Sequence, residues 1–332
     1  MAVHEQPIEH YCRLPDGNTL VADLWRAPEP SGIVVVRTPY DARQHAALGA
    51  SWAQRGYHCL IQDVRGRYRS DGEWSPYQHE GHDGAALVMQ LHRQYPTIPI
   101  VLFGASYAAH CAVEAARTLA HQGATPPAAV IALVPALGLA ETAWTTHGQP
   151  QLKHRIGWWH EHGQGHHSLI PLTADELDRR IDLARRVGPT AAAQHWRWSD
   201  HTQKQWERLW QAQRVDLLRR YAQVSSPLLV VTGKHDFFDD DAHRLAAEWP
   251  TACHLVTGPW GHNLARDITD PHLRTQLQAV GGVGAVIDAW LQAQGLPGRA
   301  APWTQVLCDD AAFTQSLFNS TDGTWHHERT MA

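Results

Sequence analysis

The sequence predicts an α/β fold in which a mostly parallel, doubly wound sheet carries a helical cap insertion. Six short apolar runs rich in β-branched residues recur along the chain, at 32–36, 58–64, 98–104, 128–135, 227–233 and 253–258. Several are apolar at consecutive positions, as in strands of a parallel sheet covered on both faces. Segments with helical periodicity separate the runs, and this alternation indicates right-handed crossover connections.

The first part of the core is predicted over residues 1–135. It opens with a hairpin over 10–27, in which HYCRL and TLVADLW flank the turn PDGN. Helices follow at 46–56, which ends at a glycine, and at 83–95, which precedes a proline. A third helix, 107–123, begins directly after Ser106.

The alternation of strands and helices stops after residue 135. Residues 136–226 show helical periodicity without a strand signal, most clearly at 174–188 and 202–222. We predict that this segment is a cap over the carboxyl edge of the sheet, where open α/β sheets bind ligands. The core resumes over 227–296 and ends with a helix at 284–295. A tail over 297–332 contains one strand-like run, WTQVLC, followed by polar sequence.

The composition is that of a globular protein of 332 residues, with 43% hydrophobic and 18% charged residues. The net charge of −5 and the absence of a Lys/Arg block argue against nucleic acid or an anionic membrane as a partner. No stretch approaches the ~20 apolar residues of a membrane span, and no apolar leader is visible, so a cytoplasmic location is expected. Five cysteines without CxxC spacing are expected to be buried free thiols: Cys12, Cys59, Cys111, Cys253 and Cys308.

A serine stands where a buried strand changes into an alanine-rich helix, in the stretch IVLFGASYAAH at 100–110. A nucleophilic serine on a strained strand-to-helix turn needs small residues two positions before and after it, and Gly104 and Ala108 meet this requirement. The alternative is that Ser106 is an ordinary elbow residue. A G-x-S-x-A pattern alone is weak evidence, so the interpretation depends on partner residues.

An acid and a histidine follow two later strands. Asp236 comes after PLLVVTG, and His262 lies in GPWGHN after CHLVTG. The order Ser106, Asp236, His262 at three strand ends is that of an α/β-hydrolase triad, in which histidine takes the serine proton and the acid orients the imidazole. Taken one at a time, these residues have ordinary alternatives, because Asp236 could be a helix cap and His262 an ordinary loop residue. Three further acids, Asp239, Asp240 and Asp241, are rivals that we expect at the start of the next helix.

Four segments carry a resemblance to a known family: GASY (104–107), GPWGH (258–262), RTPYD (37–41) and QDVRGRYRSDGEW (62–74). They resemble the cocaine-esterase/X-prolyl dipeptidyl-peptidase family, whose relatives include α-amino-acid ester hydrolases and glutaryl-cephalosporin acylases, over roughly residues 8–295. The resemblance implies the same triad. It also implies an oxyanion hole formed by the hydroxyl of Tyr40 and the backbone N–H of Tyr107. For Tyr40 the alternative is a packing aromatic. Ala109 replaces a glycine of the family pattern, and residues 65–72 are interpreted as structural, shaping the entrance loop.

Members of that family carry a C-terminal β-sandwich, whereas this sequence ends about 70 residues after His262. WTQVLC resembles the first strand of that domain. We therefore expect an apolar surface that is covered in one of two ways. A homodimer would cover it, and so would a compact tail folded back on its own core.

The cap is rich in tryptophan and histidine. Trp144, Trp158, Trp159 and, from the core, Trp260 are predicted to contact the substrate, whereas core packing is at least as good an interpretation for Trp196, Trp198, Trp206 and Trp210. The histidines of WWHEHGQGHH (158–167) come as H-x-H and H-H pairs without an accompanying cysteine and are interpreted as part of a polar loop, so no metal is predicted. Glu141 and Glu161 are candidates for holding a substrate ammonium group.

Together these features predict a serine hydrolase that cleaves an ester or amide of a small molecule or short peptide through an acyl-enzyme, without a metal or organic cofactor. Two alternatives stay open. An acyltransferase or biosynthetic thioesterase would use the same triad with another acceptor than water. A catalytically silent binding protein is the other, and the intact triad argues against it.

Overall fold

The computed structural model describes residues 6–298, 313–319 and 323–330. Its strands are β1 (Ile8–Arg13), β2 (Thr19–Trp25), β3 (Gly32–Thr38), β4 (Tyr57–Asp63), β5 (Ile100–Ala105), β6 (Ala129–Leu133), β7 (Leu228–Gly233), β8 (Cys253–Gly258), β9 (Phe313–Asn319) and β10 (Thr324–Thr330). They form one sheet in the order β1-β2-β4-β3-β5-β6-β7-β8-β9-β10. In this order, every neighbouring pair between β4 and β9 is parallel. At the two edges, the pairs β1–β2, β2–β4 and β9–β10 are antiparallel.

Helices cover both faces of this sheet. They are α1 (Ala46–Gln54), α2 (Glu80–Gln94), α3 (Tyr107–His121), α4 (Leu139–Ala143), α5 (Leu152–His162), α6 (Ala174–Val187), α7 (Pro189–Ala193), α8 (Asp200–Gln211), α9 (Leu217–Tyr221), α10 (Asp239–Glu248), α11 (Pro271–Ala279) and α12 (Gly282–Ala293). One core joins β-strand side chains to α2, α3 and α10, and a second joins the opposite face to α1 and α12. The central strands are buried throughout because both faces are covered, which confirms the predicted mostly parallel α/β fold.

Helices α4–α9 lie between β6 and β7, within the segment predicted as a cap. Their shared core is built around tryptophans that meet mostly edge to face, among them Trp159, Trp196, Trp198, Trp206 and Trp210. The core-packing interpretation of the last four is therefore confirmed. No helix in the described ranges is both long and apolar enough to span a bilayer.

The helix predicted over 202–222 is broken into two. α8 ends at Gln211 and α9 starts at Leu217, with an extended connection between them. In that connection Arg214 pairs with Asp241 of α10, and the N–H of Val215 donates to Glu141 at 2.9 Å. These tertiary contacts outweigh the helical periodicity of the sequence at residues 212–216, so the segment forms two helices and not one.

The tail forms a hairpin that extends the sheet. β9 pairs with β8 in parallel, β10 pairs with β9, and the buried Phe318 packs against Trp325 at 5.2 Å between ring centroids. This part of the tail is thus folded back on its own core, as in the second of the two expectations above. The strand-like run WTQVLC lies outside the described residues. Association into a homodimer stays a prediction.

Candidate active site

Ser106 lies on a sharp turn between β5 and α3, with φ 56° and ψ −120°. Residues that carry a side chain rarely adopt this backbone conformation, which is found where surrounding structure enforces it. A Cβ atom at Gly104 would lie 2.1 Å from the carbonyl oxygen of Ala108. The first turn of α3 therefore packs directly on the strand end, and this contact explains why the sequence needs a glycine two residues before the serine.

Ser106, His262 and Asp236 are joined by two hydrogen bonds. The Ser106 Oγ lies 2.9 Å from His262 Nε2, and His262 Nδ1 lies 2.8 Å from Asp236 Oδ1. The Asp236 side chain is fully buried, whereas that of His262 is 23% exposed and reaches the cavity. The three residues follow the carboxyl ends of β5, β7 and β8, which is why residues far apart in sequence meet here. Both distances suit proton transfer.

The three rival acids are engaged elsewhere at the start of α10. Asp239 accepts a hydrogen bond from Thr232 at 2.9 Å, and Asp240 accepts one from Thr146 at 2.6 Å. Asp241 pairs with arginine side chains of the cap connection and of α10. This arrangement agrees with their predicted place at the helix start.

Two phenylalanines that the sequence analysis did not single out hold the ring of His262. Phe237 stacks on it at 4.4 Å and 26°, and Phe238 meets it edge-on at 5.5 Å. Phe237 also stacks on His154 of α5, at 3.9 Å between ring centroids. Their position directly after Asp236 is the sequence signal that could have identified them.

The hydroxyl of Tyr40 lies at the cavity and accepts a hydrogen bond from Trp158 Nε1 at 2.8 Å. Burial raises the pKa of Tyr40 to about 12, although the hydrogen bond from Trp158 and the nearby charge of Arg155 lower it. The phenol is therefore protonated near neutral pH. Because Trp158 supplies a donor to its oxygen, the hydroxyl proton of Tyr40 is left for another acceptor.

Tyr107 offers its backbone, not its hydroxyl, to the site. It is the first residue of α3, and the first N–H groups of a helix have no acceptor within the helix. Its buried hydroxyl donates to Glu80 and accepts from the N–H of Tyr77 at 2.7 Å. Burial raises the pKa of Glu80 to about 7, although the Tyr107 hydrogen bond opposes the shift.

A cavity of about 960 Å³ opens above Ser106. Core loops contribute Tyr40, Tyr77, Val134, Phe238 and Leu264 to its walls, and α5 contributes His154, Arg155, Trp158, Glu161 and His162. Residues of α5, from the segment predicted as a cap, thus share this cavity with loops at the carboxyl edge of the sheet.

Of the four tryptophans predicted to contact substrate, Trp158 lines this cavity. Trp159 and Trp260 are both 0% exposed. Trp159 faces the cap core, and Trp260 lies under the sheet edge, where its Nε1 donates to the carbonyl of Thr232 at 2.9 Å. Trp144 packs edge-on against Trp210 at 5.3 Å, away from the cavity lining. The prediction of substrate contact is corrected for these three. Burial removes Trp159 and Trp260 from the cavity surface, and the half-buried Trp144 packs on Trp210 outside the cavity lining.

The two candidate acids for an ammonium group are placed differently. Glu141 is buried outside the main cavity, and its Oε1 accepts the hydrogen bond from Val215. Glu161 lines the cavity, but its carboxylate lies 3.2 Å from His162 Nε2. Within the described residues, no group of three or more His, Cys, Asp or Glu side chains is arranged to hold a metal ion.

The segment 65–72 joins the core to the cap. Arg67 is fully buried and donates to the carbonyl of Pro39 at 3.1 Å, next to Tyr40. It also donates to the carbonyl of Gly165 at 2.7 Å and to Ser168 Oγ at 3.0 Å, in the cap loop after α5. This agrees with the structural interpretation of the segment.

The comparisons with known proteins agree with the geometry. The model of the X-Pro dipeptidyl-peptidase (S15 family) matches residues 16–263. Cocaine esterase of Rhodococcus sp. (strain MB1 Bresler) is 24% identical over 339 residues, which cover 83% of this chain and 57% of that protein.

Solved structures show the same fold. An α-amino acid ester hydrolase matches with a TM-score of 0.63 at 15% identity, over 100% of this chain and 59% of that one. An aminopeptidase from the marine sediment archaeon Thaumarchaeota archaeon matches with a TM-score of 0.64 at 15% identity, over 98% of this chain and 59% of that one. The chain thus spans less than two thirds of the length of these relatives.

Proposed function

Because the chain belongs to the X-Pro dipeptidyl-peptidase (S15) family of serine hydrolases, we propose that it cleaves an ester or amide bond by way of an acyl-enzyme on Ser106. The observation that carries the proposal is the hydrogen-bonded chain from Ser106 through His262 to Asp236. Serine is a weak nucleophile until a neutral histidine accepts its proton, and that requires this contact.

In the first half of the reaction, Ser106 Oγ attacks the substrate carbonyl carbon while its proton passes to His262 Nε2. The carbonyl oxygen becomes an oxyanion, which the N–H of Tyr107 and the hydroxyl of Tyr40 stabilise. Each such donor contributes on the order of 3 kcal/mol in comparable sites. When the intermediate collapses, the bond to the leaving group breaks and His262 returns the proton to that group.

In the second half, a water molecule attacks the acyl carbon and gives a proton to His262 Nε2. The second tetrahedral intermediate releases the acid and restores the Ser106 hydroxyl with the proton from His262. Asp236 holds the imidazole in the tautomer that has Nδ1 protonated and stabilises the positive ring that forms in each half. The described residues supply all of these groups.

We also propose that the protein acts on small-molecule or short-peptide substrates in the cytoplasm. The cavity volume of about 960 Å³ suits a substrate of that size. The four cysteines in the described residues are free and buried, which agrees with a reducing compartment.

A fluorophosphonate probe tests the proposal. We expect it to label the wild-type protein on the peptide that contains Ser106, and Ser106→Ala to abolish both labelling and ester hydrolysis. Ser31→Ala changes an exposed serine before β3 and is expected to behave like wild type. Hydrolysis that persists in folded Ser106→Ala would refute the assignment, and a wild-type protein that is neither labelled nor active would favour the binding-protein alternative.

A further inference from the structure

Three arginines in the described part of the chain are more than nine-tenths buried. Arg37, Arg67 and Arg155 are 3%, 0% and 3% exposed. Arg37 and Arg67 donate hydrogen bonds to oxygen atoms of the protein, and Arg37 also lies near a carboxylate. Arg155 differs from both, because the hydrogen-bonding group beside its guanidinium is the phenol of Tyr77. Its Nε has no hydrogen-bond partner, and none of the ion pairs in the described residues includes it.

Arg155 lines the cavity from α5, on the same helix face as Trp158 and His162. Its guanidinium lies over the rings of Trp158 and Phe238, at 5.8 and 5.6 Å from their centroids. Trp158 is the hydrogen-bond donor to Tyr40, and Phe238 packs against His262. The charge is therefore next to the two groups that flank the reacting carbonyl in the proposed mechanism.

Within the described ranges, no ion pair supplies a carboxylate to balance the charge on Arg155. Burial lowers the pKa of Arg155, and the groups that oppose this shift are the phenols of Tyr77 and Tyr40. Burial raises the pKa of both phenols, so both are neutral near pH 7. A guanidinium stays protonated in proteins, and a buried charge without a counter-ion is strongly unfavourable. A cavity wall that contains such a group is suited to a ligand that brings the opposite charge.

We propose that Arg155 anchors a subsite for a carboxylate group on the substrate, close to the scissile bond. The proposal rests on the proposed function and narrows it to esters or amides whose acyl or leaving part carries a carboxylate. The planar guanidinium can donate two parallel hydrogen bonds to such a group, and the aromatic walls exclude water from the pair. The substrate group proposed here is negative, whereas the ammonium group for which Glu141 and Glu161 are sequence candidates is positive.

Matched activated esters test the proposal. One series varies the acyl part, with 4-nitrophenyl esters of glutarate and of its monoamide. The other varies the leaving group, with butyrate esters of 4-hydroxybenzoate and of 4-hydroxybenzamide. Each kcat/KM is divided by the rate of hydroxide hydrolysis of the same ester, which removes differences in intrinsic reactivity. We expect the wild-type protein to prefer the carboxylate at least tenfold in one series.

Variants of Arg155 separate charge recognition from packing. Arg155→Met should reduce the carboxylate preference to about unity, so that kcat/KM falls at least tenfold more for the carboxylate ester than for the neutral ester of the same series. Arg155→Lys should retain part of the preference. Lys153→Met removes an equal charge from an exposed position of the same helix and should leave the preference unchanged. A purely structural role for Arg155 would lower both rates together and leave their ratio intact.

Two results would overturn the subsite. One is an active wild-type protein without carboxylate preference in either series, and the other is an unchanged ratio in folded Arg155→Met. If that variant does not fold, competitive inhibition of the wild-type protein decides. Glutarate should inhibit at least tenfold more tightly than glutaramide, and equal inhibition would refute the proposal. Failure of the proposed function is distinguishable, because it would appear as absent fluorophosphonate labelling and absent hydrolysis of every ester.

Discussion

The hydroxyl of Tyr40 can be removed with little other change, which makes it a sensitive test of the proposed oxyanion hole. Tyr40→Phe keeps the ring, whose edge-on contact with His162 at 4.8 Å survives. It removes the hydrogen bond from Trp158 and the donor that is proposed to face the oxyanion. Loss of one such donor costs about 3–4 kcal/mol in the transition state, so we expect kcat to fall by roughly 10²–10³ with little change in KM.

The same substitution has a separate effect on stability. Trp158 Nε1 loses its acceptor, and because Trp158 is half-buried this costs at most the ~1–3 kcal/mol of a fully buried unsatisfied donor. Tyr57→Phe is the matched control. Tyr57 is fully buried, packs edge-on against Trp52 and donates its hydroxyl proton to the carbonyl of Pro297, outside the cavity lining. It should lower the free energy of unfolding by a similar amount and leave kcat unchanged.

Steady-state kinetics on an activated ester, with chemical denaturation of the same preparations, measure both quantities. A fall in kcat for Tyr40→Phe that greatly exceeds its loss of stability supports the donor role. The reasoning is refuted if Tyr40→Phe is folded and retains wild-type kcat. It is also refuted if Tyr57→Phe loses as much kcat as Tyr40→Phe, because the loss would then follow packing and not the oxyanion.

Three further predictions test other parts of the site and the fold around it. Asp236→Asn should lower kcat by about 10⁴, because the asparagine would favour the wrong tautomer of His262, whereas Asp239→Asn should keep a kcat near that of wild type. If steady-state kinetics give the reverse result, Asp239 and not Asp236 is the acid that orients the histidine. Gly104→Ala brings a methyl group within 2.1 Å of the Ala108 carbonyl, so urea denaturation should show a loss of about 1–3 kcal/mol, and wild-type stability would contradict the tight turn. Because burial raises the pKa of Glu80 from 4.5 to about 7, the folded protein keeps a proton that the unfolded chain loses, so stability should fall by up to about 3 kcal/mol between pH 5 and 8. The free energy of unfolding of Glu80→Gln should lack this part of the pH dependence. If the difference in that free energy between the variant and wild type is the same at pH 5 and pH 8, Glu80 is ionised in the folded protein over the whole range.

Local signals in the sequence predict most of the sheet. The consecutive apolar residues of β3, β6 and β7 arise because strands covered on both faces need no polar side, and this makes them visible without a structure. The turn at Ser106 is equally visible, because its steric requirement at Gly104 is met in the sequence itself. For such features, the physical cause and the sequence pattern lie within a few residues of each other.

Features that depend on distant contacts were not predictable in this way. Trp158 and Trp159 are neighbours in sequence, yet one lines the cavity and the other is sealed in the cap core, because successive positions of a helix face different directions. The strands of the tail contain Thr, Gln, Ser and His, whose polar character hides a pairing that is set by β8. Arg155 lies in no distinguishing sequence motif. It stands out in the structure because its buried Nε has no hydrogen-bond partner.

Strained backbone is concentrated around the cavity. Non-glycine residues with positive φ in the described chain are Asp41, Tyr68, Tyr77, Ser106, Val134, Arg197 and Leu264, and four of these seven line the cavity while Asp41 follows Tyr40 directly. Each such residue costs about 1–3 kcal/mol and persists where the surroundings enforce it. The core supplies that enforcement, since the N–H of Ser106 donates to Leu133 at 2.9 Å and that of Val134 donates to Val231 at 2.7 Å. The proposed triad is therefore positioned by the sheet, whereas Arg155 and Trp158 come from the segment between β6 and β7. Changes in α5 can alter which substrate is accepted while the sheet keeps the reacting groups in place.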